Sequence, residues 1–427
     1  MTPRVAVIGG GWSGCAAALT LAEAGVVVSV YEAGAVLGGR ARSLDLNGMR
    51  LDNGQHVLLG AYRQTLDLID AVSSPVKRHA SLLRSRLILD HPPTFKLDCP
   101  ALPAPWHLLV GLFRARGLSW RDKLAAARWA HDAIHRIDQA DQSVAHAIAA
   151  QPAAVRRALW EPLCVAALNT PPADASANVF MHILRTTFGN TRAHSDLLFP
   201  CVDLGALFPV PAASRIRQLG GEIRLHTRVR NLTSGEGDLT VNTQHETTNY
   251  DFVILAVAPQ HLASLCEFLP GLLALADTVR GYRYLPIATV YLQYPATVRL
   301  PRPMMALAGE PAQFAFDRGQ THGQPGLIAL VASAAANLLG RAQVDWTAQA
   351  ERQLERIQQL PAPLWRKCLI EKQATYACTP AMKRPGTTTR HPRIFLAGDY
   401  VEGPYPATLE SATRSGVKSA QVLLEQI

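Results

Sequence analysis

The hydrophobic pattern is sharpest at the start of the chain. Residues 4–9, RVAVIG, form a continuous apolar run; Trp12 to Ala24 is rich in Ala and Leu; VVVSVYE follows Gly25. The two short runs predict buried strands, and the Ala/Leu stretch predicts a helix closed by Gly25. Strand, tight turn, helix and strand together predict a parallel sheet. The next stretch, AGAVLGGRARSLDLNGMRLDNGQHVLLGAY, is glycine-rich and poor in periodicity, and reads as a loop-heavy excursion over a ligand.

From about Pro100 to Phe199 helical periodicity dominates, with Trp106, Trp120, Trp129 and Trp160 and several prolines between segments. LVGLFRARGLSWRDKLAAARWAHDAI sets apolar residues and arginines on opposing faces. GALFPVPAASRIRQLGGEIRLHTRVRNL predicts a helix, a Gly-Gly turn and a strand. LTVNT, YDFVILAVAP, IATVYLQY and LIALVAS predict further strands, and DWTAQAERQLERIQQL an amphipathic helix. The tail is a strand, RIFLAGD, and a helix in which Leu409, Ala412, Gly416, Ala420 and Leu423 share a face.

Composition narrows the class. Hydrophobic residues make up 48% and charged residues 18%, as in a folded globular protein. The net charge of +9 comes from scattered arginines with no basic run interleaved with aromatics, which excludes a nucleic-acid partner and suits an anionic bilayer surface. The seven cysteines, at 15, 99, 164, 201, 266, 368 and 378, have no C-x-x-C spacing. They read as reduced core residues of a cytoplasmic protein, with neither a disulfide frame nor a metal site. No signal peptide and no apolar run of about 20 residues is visible, so any membrane contact is expected to be peripheral.

Gly9-x-Gly11-x-x-Gly14 lies between the first strand and helix. Gly9 permits the turn, Gly11 lets backbone approach a pyrophosphate, and Gly14 lets helix and strand pack closely; the anion sits at a helix N-terminus. Glu32, 18 residues after Gly14, ends the second strand, where an acid hydrogen-bonds a ribose. The motif predicts a dinucleotide without separating NAD from FAD. Arg40, in LGGRAR, is open to three roles: pairing with a pyrophosphate, anchoring the loop, or solvation at the surface.

Glu32, Gly38, Gly39 and Arg40 together resemble the flavoprotein superfamily of amine oxidases and carotenoid desaturases. FLAGDYVEGPYPATLESATRSG is similar to its phytoene-desaturase-type ending. The resemblance implies an α/β fold: a Rossmann-like FAD-binding domain of residues 1–75, 203–260 and 386–427, and a mixed-sheet substrate domain of 76–202 and 261–385 carrying a helical insert at about 100–200. It implies that Gly398 and Asp399 meet the ribityl-phosphate, that Thr408 and Leu409 sit by the isoalloxazine, and that Val229 lends its backbone to adenine. Gly54 and Gln55, in LDNGQ, belong to a loop that passes the isoalloxazine in related flavoproteins. No cysteine sits in the GDYVEGPYPATLES segment, and Cys378 lies in a context unlike the family's covalent attachment sequence, so noncovalent FAD is expected. Ser411 stands where the family often has Gly.

LDNGQHVLLGAYRQTLDLI and LWEPLCVAALNTPPADASANVF resemble the squalene-associated branch, the hydroxysqualene dehydroxylases of bacterial squalene and hopanoid synthesis. That resemblance implies hydride delivery from reduced FAD to an allylic C30 alcohol, with loss of water. A carotenoid or polyprenoid desaturase and an amine oxidase are the alternatives. Because hydroxide leaves poorly, a proton donor is expected, and His56 is the candidate; a structural role within its loop is the other reading. Asp52 is expected to fix that loop. Glu161 and Asn169 are candidates for a substrate tunnel, or else for helix capping and solvation, and Tyr405 for a wall beside the flavin. The substrate is expected to be a long apolar isoprenoid. The segment with Trp106, Leu108, Leu109, Leu112 and Phe113 followed by Arg114, Arg116 and Arg121 suits either interfacial docking or burial in the core.

Overall fold

The strand Arg4–Ile8, helix Trp12–Glu23 and strand Val27–Tyr31 form the expected unit, seen in a computed structural model that describes residues 3–46, 48–74, 80–135, 140–235, 238–267, 269–307, 309–335 and 343–427. Both strands bury all but their first residue, which accounts for their unbroken apolar character. Gly25, at φ +82°, turns the chain out of the helix. Strands Glu222–Arg224, Phe252–Leu255 and Ile394–Leu396 join the first two in one five-stranded sheet. All four pairings are parallel, with Arg4–Ile8 at the centre between Val27–Tyr31 and Phe252–Leu255. Three distant stretches of sequence therefore build one sheet, and the carboxyl ends of their strands meet on one edge.

The closing helix, Leu409–Leu424, packs against the first helix. A Cβ on Gly416 would stand 2.2 Å from the Ser13 carbonyl oxygen, so the two backbones touch there. The expected apolar face is only partly right. Gly416, Ala420 and Leu423 are buried, Leu409 and Ala412 only half-buried. Glu410, Ser411, Thr413, Ser415 and Ser419 are buried as well; Thr65 of helix Arg63–Val72 bonds to Glu410 and Thr413, and the Gly398–Asp399 turn to Ser411 and Ser415.

A second five-stranded sheet orders Met304–Ala306, Phe314–Asp317, Leu327–Ala332, Tyr284–Gln293 and Trp365–Tyr376, with antiparallel pairings. Alternation along Tyr284–Gln293 divides its side chains. Ala288, Val290 and Leu292 join a core with Trp346, Ala350 and Leu354 of helix Gln343–Glu355, whereas Tyr291 faces the main core between the sheets.

Residues 100–200 are mostly helical, including Trp106–Arg114, Trp120–His135, Glu161–Leu168 and Ala177–Phe188. Arg156–Trp160 is a π-helical turn. This region also contains the strand Leu197–Pro200, which pairs with Leu82–Ser85 and Leu58–Leu59.

A two-ended cofactor cradle

Glycine geometry shapes the first end of the site. Gly9 has φ +112°, and a Cβ there would meet the Ala256 carbonyl oxygen at 2.5 Å. A Cβ on Gly14 would stand 1.9 Å from the Gly9 oxygen. Above Gly11, by contrast, the nearest atom to an added Cβ is Gly39 Cα at 3.8 Å. Gly11 is also the N-cap of the first helix, with no side-chain cap and no acid in the first turn. The open space and the uncapped helix N–H groups fit a pyrophosphate.

Glu32 accepts Gly10 N–H at 2.8 Å on one carboxylate oxygen and Gly34 N–H at 2.7 Å on the other. Each oxygen keeps acceptor capacity for a ribose hydroxyl. The loop carrying Val229 is laid beside it: Thr227 N–H donates to the Glu32 carbonyl at 2.8 Å, and His226 N–H to the Gly34 carbonyl at 3.0 Å. Gly38 N–H donates to the Gly10 carbonyl at 2.9 Å, docking the Gly38–Gly39–Arg40 loop onto the glycine turn.

Arg40 joins this end to the other. Its Nη2 donates to Asp399 Oδ1 at 2.6 Å and its Nη1 to the Ala374 carbonyl at 2.8 Å. The anchoring role is the one the structure displays for Arg40. Burial works against the Arg40 charge, but the Asp399 carboxylate more than offsets it. A Cβ on Gly398 would lie 2.4 Å from the Tyr400 ring, and Gly398 N–H donates to Ser415 Oγ at 3.1 Å. Thr408 caps the closing helix, accepting Ser411 N–H at 3.1 Å, which places Leu409 as its first residue. Ser411 uses its hydroxyl to donate to the Asp399 carbonyl at 3.1 Å.

Arg384, which sequence reading missed, organises this turn. Its guanidinium donates to the carbonyls of Asp399, Tyr400, Val401, Gly403 and Tyr405. Also missed was Glu410, whose fully buried carboxylate accepts Gln64 N–H at 3.2 Å and Thr65 N–H at 2.9 Å. It thereby caps helix Arg63–Val72 from across the fold. Nothing in either local pattern marks these pairings. Tyr284 and Tyr400 carry buried hydroxyls without a partner among the described residues. Burial pushes the Tyr284 phenol up to about 12, with Arg40 opposing and Asp399 adding to the shift. Orphaned hydroxyls beside the Arg40–Asp399 pair fit a polar group of a bound cofactor or substrate.

The loop Asp52–His56 lies between this cradle and the second sheet. Asn53 Nδ2 donates to the Arg40 carbonyl at 3.4 Å and to Glu371 at 2.9 Å. Gln55 donates to the Tyr291 hydroxyl at 2.8 Å, which donates to the Asp52 carbonyl at 2.7 Å. Asp52 is buried. Its carboxylate meets Arg318 Nη1 at 3.1 Å and His322 Nε2 at 3.5 Å and accepts Leu204 N–H at 3.2 Å. Burial alone would raise its pKa, but His322, Arg318 and the Leu204 amide hold it down at about 2. The role expected of Asp52, holding the loop, thus includes an ion pair with Arg318, the first residue of the helix Arg318–His322 that follows strand Phe314–Asp317.

His56 Nδ1 is 3.3 Å from the Gly54 carbonyl. A carbonyl only accepts, so Nδ1 carries hydrogen and the neutral ring presents Nε2 as an acceptor. Burial holds the His56 pKa below its usual 6.5, partly offset by Asp52 and the Gly54 carbonyl.

Asn169 and Tyr405 are both packed into the fold. Asn169, at φ +47°, ends helix Glu161–Leu168, donates to Thr375 Oγ1 at 2.8 Å and accepts Ala334 N–H at 2.6 Å. Its amide ties the helix to the second sheet, the helix-ending role that stood as the alternative to a tunnel position. Asparagine in the left-handed C′ position is the signal that marks this role. Tyr405 is buried against Tyr62, His182 and Arg414 in the turn before the closing helix. Glu161 is half-buried at the start of its helix.

All seven cysteines are free. Cys378 is buried, with burial pushing its pKa up to about 12, so it is not poised as a thiolate. No group of three metal-binding side chains occurs among the described residues.

A glycine turn at a bare helix N-terminus, an acid at the ribose position and a second turn at the far end of the same sheet define a dinucleotide-binding oxidoreductase of the flavoprotein kind. The model for flavin containing amine oxidoreductases matches residues 12–424, and the chain belongs to that family; its cofactor is FAD. It is 28% identical to a hydroxysqualene dehydroxylase of Rhodopseudomonas palustris over 99% of each chain. It is 25% identical to a probable zeta-carotene desaturase of Synechococcus elongatus over 99% of this chain and 98% of that one. Among solved structures, a putative protoporphyrinogen oxidase from Exiguobacterium superposes with a TM-score of 0.70 at 18% identity over the whole of both chains.

Proposed function

We propose that this FAD-dependent oxidoreductase reduces hydroxysqualene to squalene. The observation that carries the reading is the end-to-end correspondence with the Rhodopseudomonas hydroxysqualene dehydroxylase. In this reaction an allylic C–O bond breaks, a C–H bond forms at the same carbon, and the hydroxyl leaves as water after gaining a proton. Bound FAD in its reduced form supplies the hydride. Gly9, Gly11, Gly14, Glu32, Gly39, Val229 and the Arg40–Asp399 pair would hold its two ends, and Gly398, Thr408 and Leu409 would line the flavin end.

What remains for the chain is to place the alcohol, protonate the departing oxygen and keep water out. His56 is the proposed donor. Its loop is fixed on one side to Arg40 through Asn53 and on the other to Tyr291 through Gln55, so the ring is presented at the junction of the two sheets. Because Nδ1–H is turned to Gly54, the proton must leave from Nε2 of the imidazolium. Tyr284, with its orphaned hydroxyl, is the second donor in reach of the Arg40–Asp399 pair. Glu161 remains a candidate for the substrate path.

The substrate is a long hydrocarbon. Each CH₂ removed from water is worth about 0.8 kcal/mol, which favours loading from a bilayer over diffusion through water. No helix among the described residues is long and apolar enough to cross a membrane, so the proposed contact is with one leaflet.

The full-length similarity to a zeta-carotene desaturase supports a second reading, with electrons flowing from a polyene to the flavin. Product analysis decides between them. Anaerobically reduced protein given hydroxysqualene should yield squalene. If it leaves the alcohol untouched while the oxidised protein desaturates phytoene or zeta-carotene, the second reading replaces the first.

A further inference from the structure

The hairpin Ile88–His91/Phe95–Asp98 and the turn after helix Trp106–Arg114 line an open cavity of about 420 Å³. Its wall holds four cations, Arg86, Lys96, Arg114 and Arg116, and one acid, Asp98. Arg86 occupies that acid, donating to both oxygens at 2.8 and 3.1 Å. Lys96 and Arg116 stand directly opposite one another. Lys96 N–H donates to the Arg116 carbonyl at 3.3 Å and Arg116 N–H to the Lys96 carbonyl at 2.9 Å. Like charges facing each other across such a bridge repel. Lys96 gains little relief from Asp90, which lies 4.0 Å away and is closer to Arg302 at 3.4 Å. Among the described residues neither Arg114 nor Arg116 has a carboxylate partner. The geometry therefore places unneutralised positive charge around a recess.

Beside this recess the surface is unusually apolar. Trp106 is 60% exposed and Trp120 69%, and Phe113, Leu102 and Leu124 are exposed too. The Phe113 and Trp120 rings lie 5.6 Å apart. This surface is firmly seated: a Cβ on Gly111 would meet Cys99 Sγ at 2.8 Å, so the helix sits hard on the end of the hairpin. Leu108 and Leu112 are turned to the core, which leaves Trp106, Phe113 and Trp120 as the outward-facing members of the segment.

We propose that this face binds an anionic phospholipid of a bilayer, the cation-lined recess taking the headgroup phosphate and Trp106, Phe113 and Trp120 entering the interface around it. Arginine pairs with phosphate oxygens bidentately, and tryptophan rings partition to the headgroup level. A phosphate between Lys96 and Arg116 converts their repulsion into a shared attraction. The apolar surroundings favour a lipid over a free phosphate, whose water-exposed face they would leave unmatched. The proposal rests on the reading that the substrate is drawn from a leaflet, and adds which headgroup charge the protein selects.

The test is co-sedimentation of the flavin-loaded protein with phosphatidylcholine vesicles, with and without phosphatidylglycerol. The wild type should sediment with the anionic vesicles, less so at high salt. At about 1 kcal/mol per cation, Lys96→Gln/Arg116→Gln should lower that partition by about 30-fold. The double variant should keep its flavin and melt no lower than wild type, because a repulsive pair has been removed. Trp106→Ser/Phe113→Ser/Trp120→Ser should lose both vesicle types. Equal sedimentation of wild type and Lys96→Gln/Arg116→Gln overturns the headgroup site but leaves the bilayer reading standing. If the wild type binds neither vesicle type, both fall. If inorganic phosphate stabilises the wild type but not the double variant and displaces it from anionic vesicles, the recess serves a soluble phosphate and the lipid assignment is wrong.

Discussion

Arg40 Nη2 lies 2.6 Å from Asp399 Oδ1, although 359 residues separate them in sequence. The glycine turn at the start of the chain and the Gly-Asp turn near its end are thus held together directly. Parallel pairing brings both turns to the same edge of the sheet, and this ion pair fixes their separation. A cofactor gripped at both ends depends on that spacing.

Arg40→Gln should therefore lower flavin occupancy at least tenfold while the protein stays folded. Removing one partner of a buried pair costs about 3–5 kcal/mol, and the lower end applies because Arg40 is 30% exposed. The checks are the ratio of flavin to protein absorbance and the melting temperature of the flavin-free form. Full occupancy would show that the pair is incidental to binding.

The five-carbonyl contact of Arg384 gives a second expectation. Arg384→Met leaves those carbonyls without their donor, at about 1.5–3 kcal/mol for a charged hydrogen bond, with the losses not additive. The visible flavin spectrum should shift as the turn loosens, and Arg384→Lys should restore part of it. An unchanged spectrum in the Met variant would remove Arg384 from the positioning of this end.

Acid should weaken the protein through Asp52. Its folded pKa, about 2, lies below the reference value of 3.8. The stabilisation is therefore complete above about pH 4 and is lost as the pH falls towards 2, amounting to about 2 kcal/mol. Asp52→Asn should be less stable than wild type at pH 7, where Arg318 is left buried beside a neutral amide, and the gap should narrow on acidification. A gap independent of pH between 2 and 5 would contradict the assignment.

The first end of the cradle was legible because a phosphate turn is local: glycine spacing, strand and helix all lie within one short stretch. The family resemblance pointed in addition to Gly398, Asp399 and Thr408, which form the second turn and the cap of the closing helix. Arg318, Arg384 and Glu410 could not be read the same way. Each is an ordinary charged residue in its own neighbourhood, and its role exists only through partners that the fold brings to it: Asp52 for Arg318, Thr65 for Glu410, and the carbonyls of the Gly-Asp turn for Arg384. Asn169 fits the helix-capping alternative, which its left-handed backbone requires, and the Tyr405 ring packs against Tyr62 and His182.

Proton delivery separates His56 from Tyr284. His56→Ala should slow a single turnover by about 10²–10⁴, the usual range for losing a general acid, with flavin still bound. Tyr284→Phe should stay within about threefold of wild type, too small a change for a lost general acid. Burial lowers the His56 pKa, so at pH 7 the imidazolium is the minor form and the wild-type rate should rise as pH falls through 6.5. A flat profile there, with Tyr284→Phe as the slow variant, would move the donor role to Tyr284.

Isotope transfer reports both the direction of electron flow and the carbon that receives the hydride. The protein is reduced anaerobically in heavy water, mixed with unlabelled hydroxysqualene, and followed by flavin absorbance and mass spectrometry of the product. One squalene should form per flavin oxidised, carrying a single deuterium at the carbon that bore the hydroxyl. Unchanged alcohol under these conditions, together with bleaching of the oxidised flavin by phytoene or squalene, would contradict that direction of electron flow.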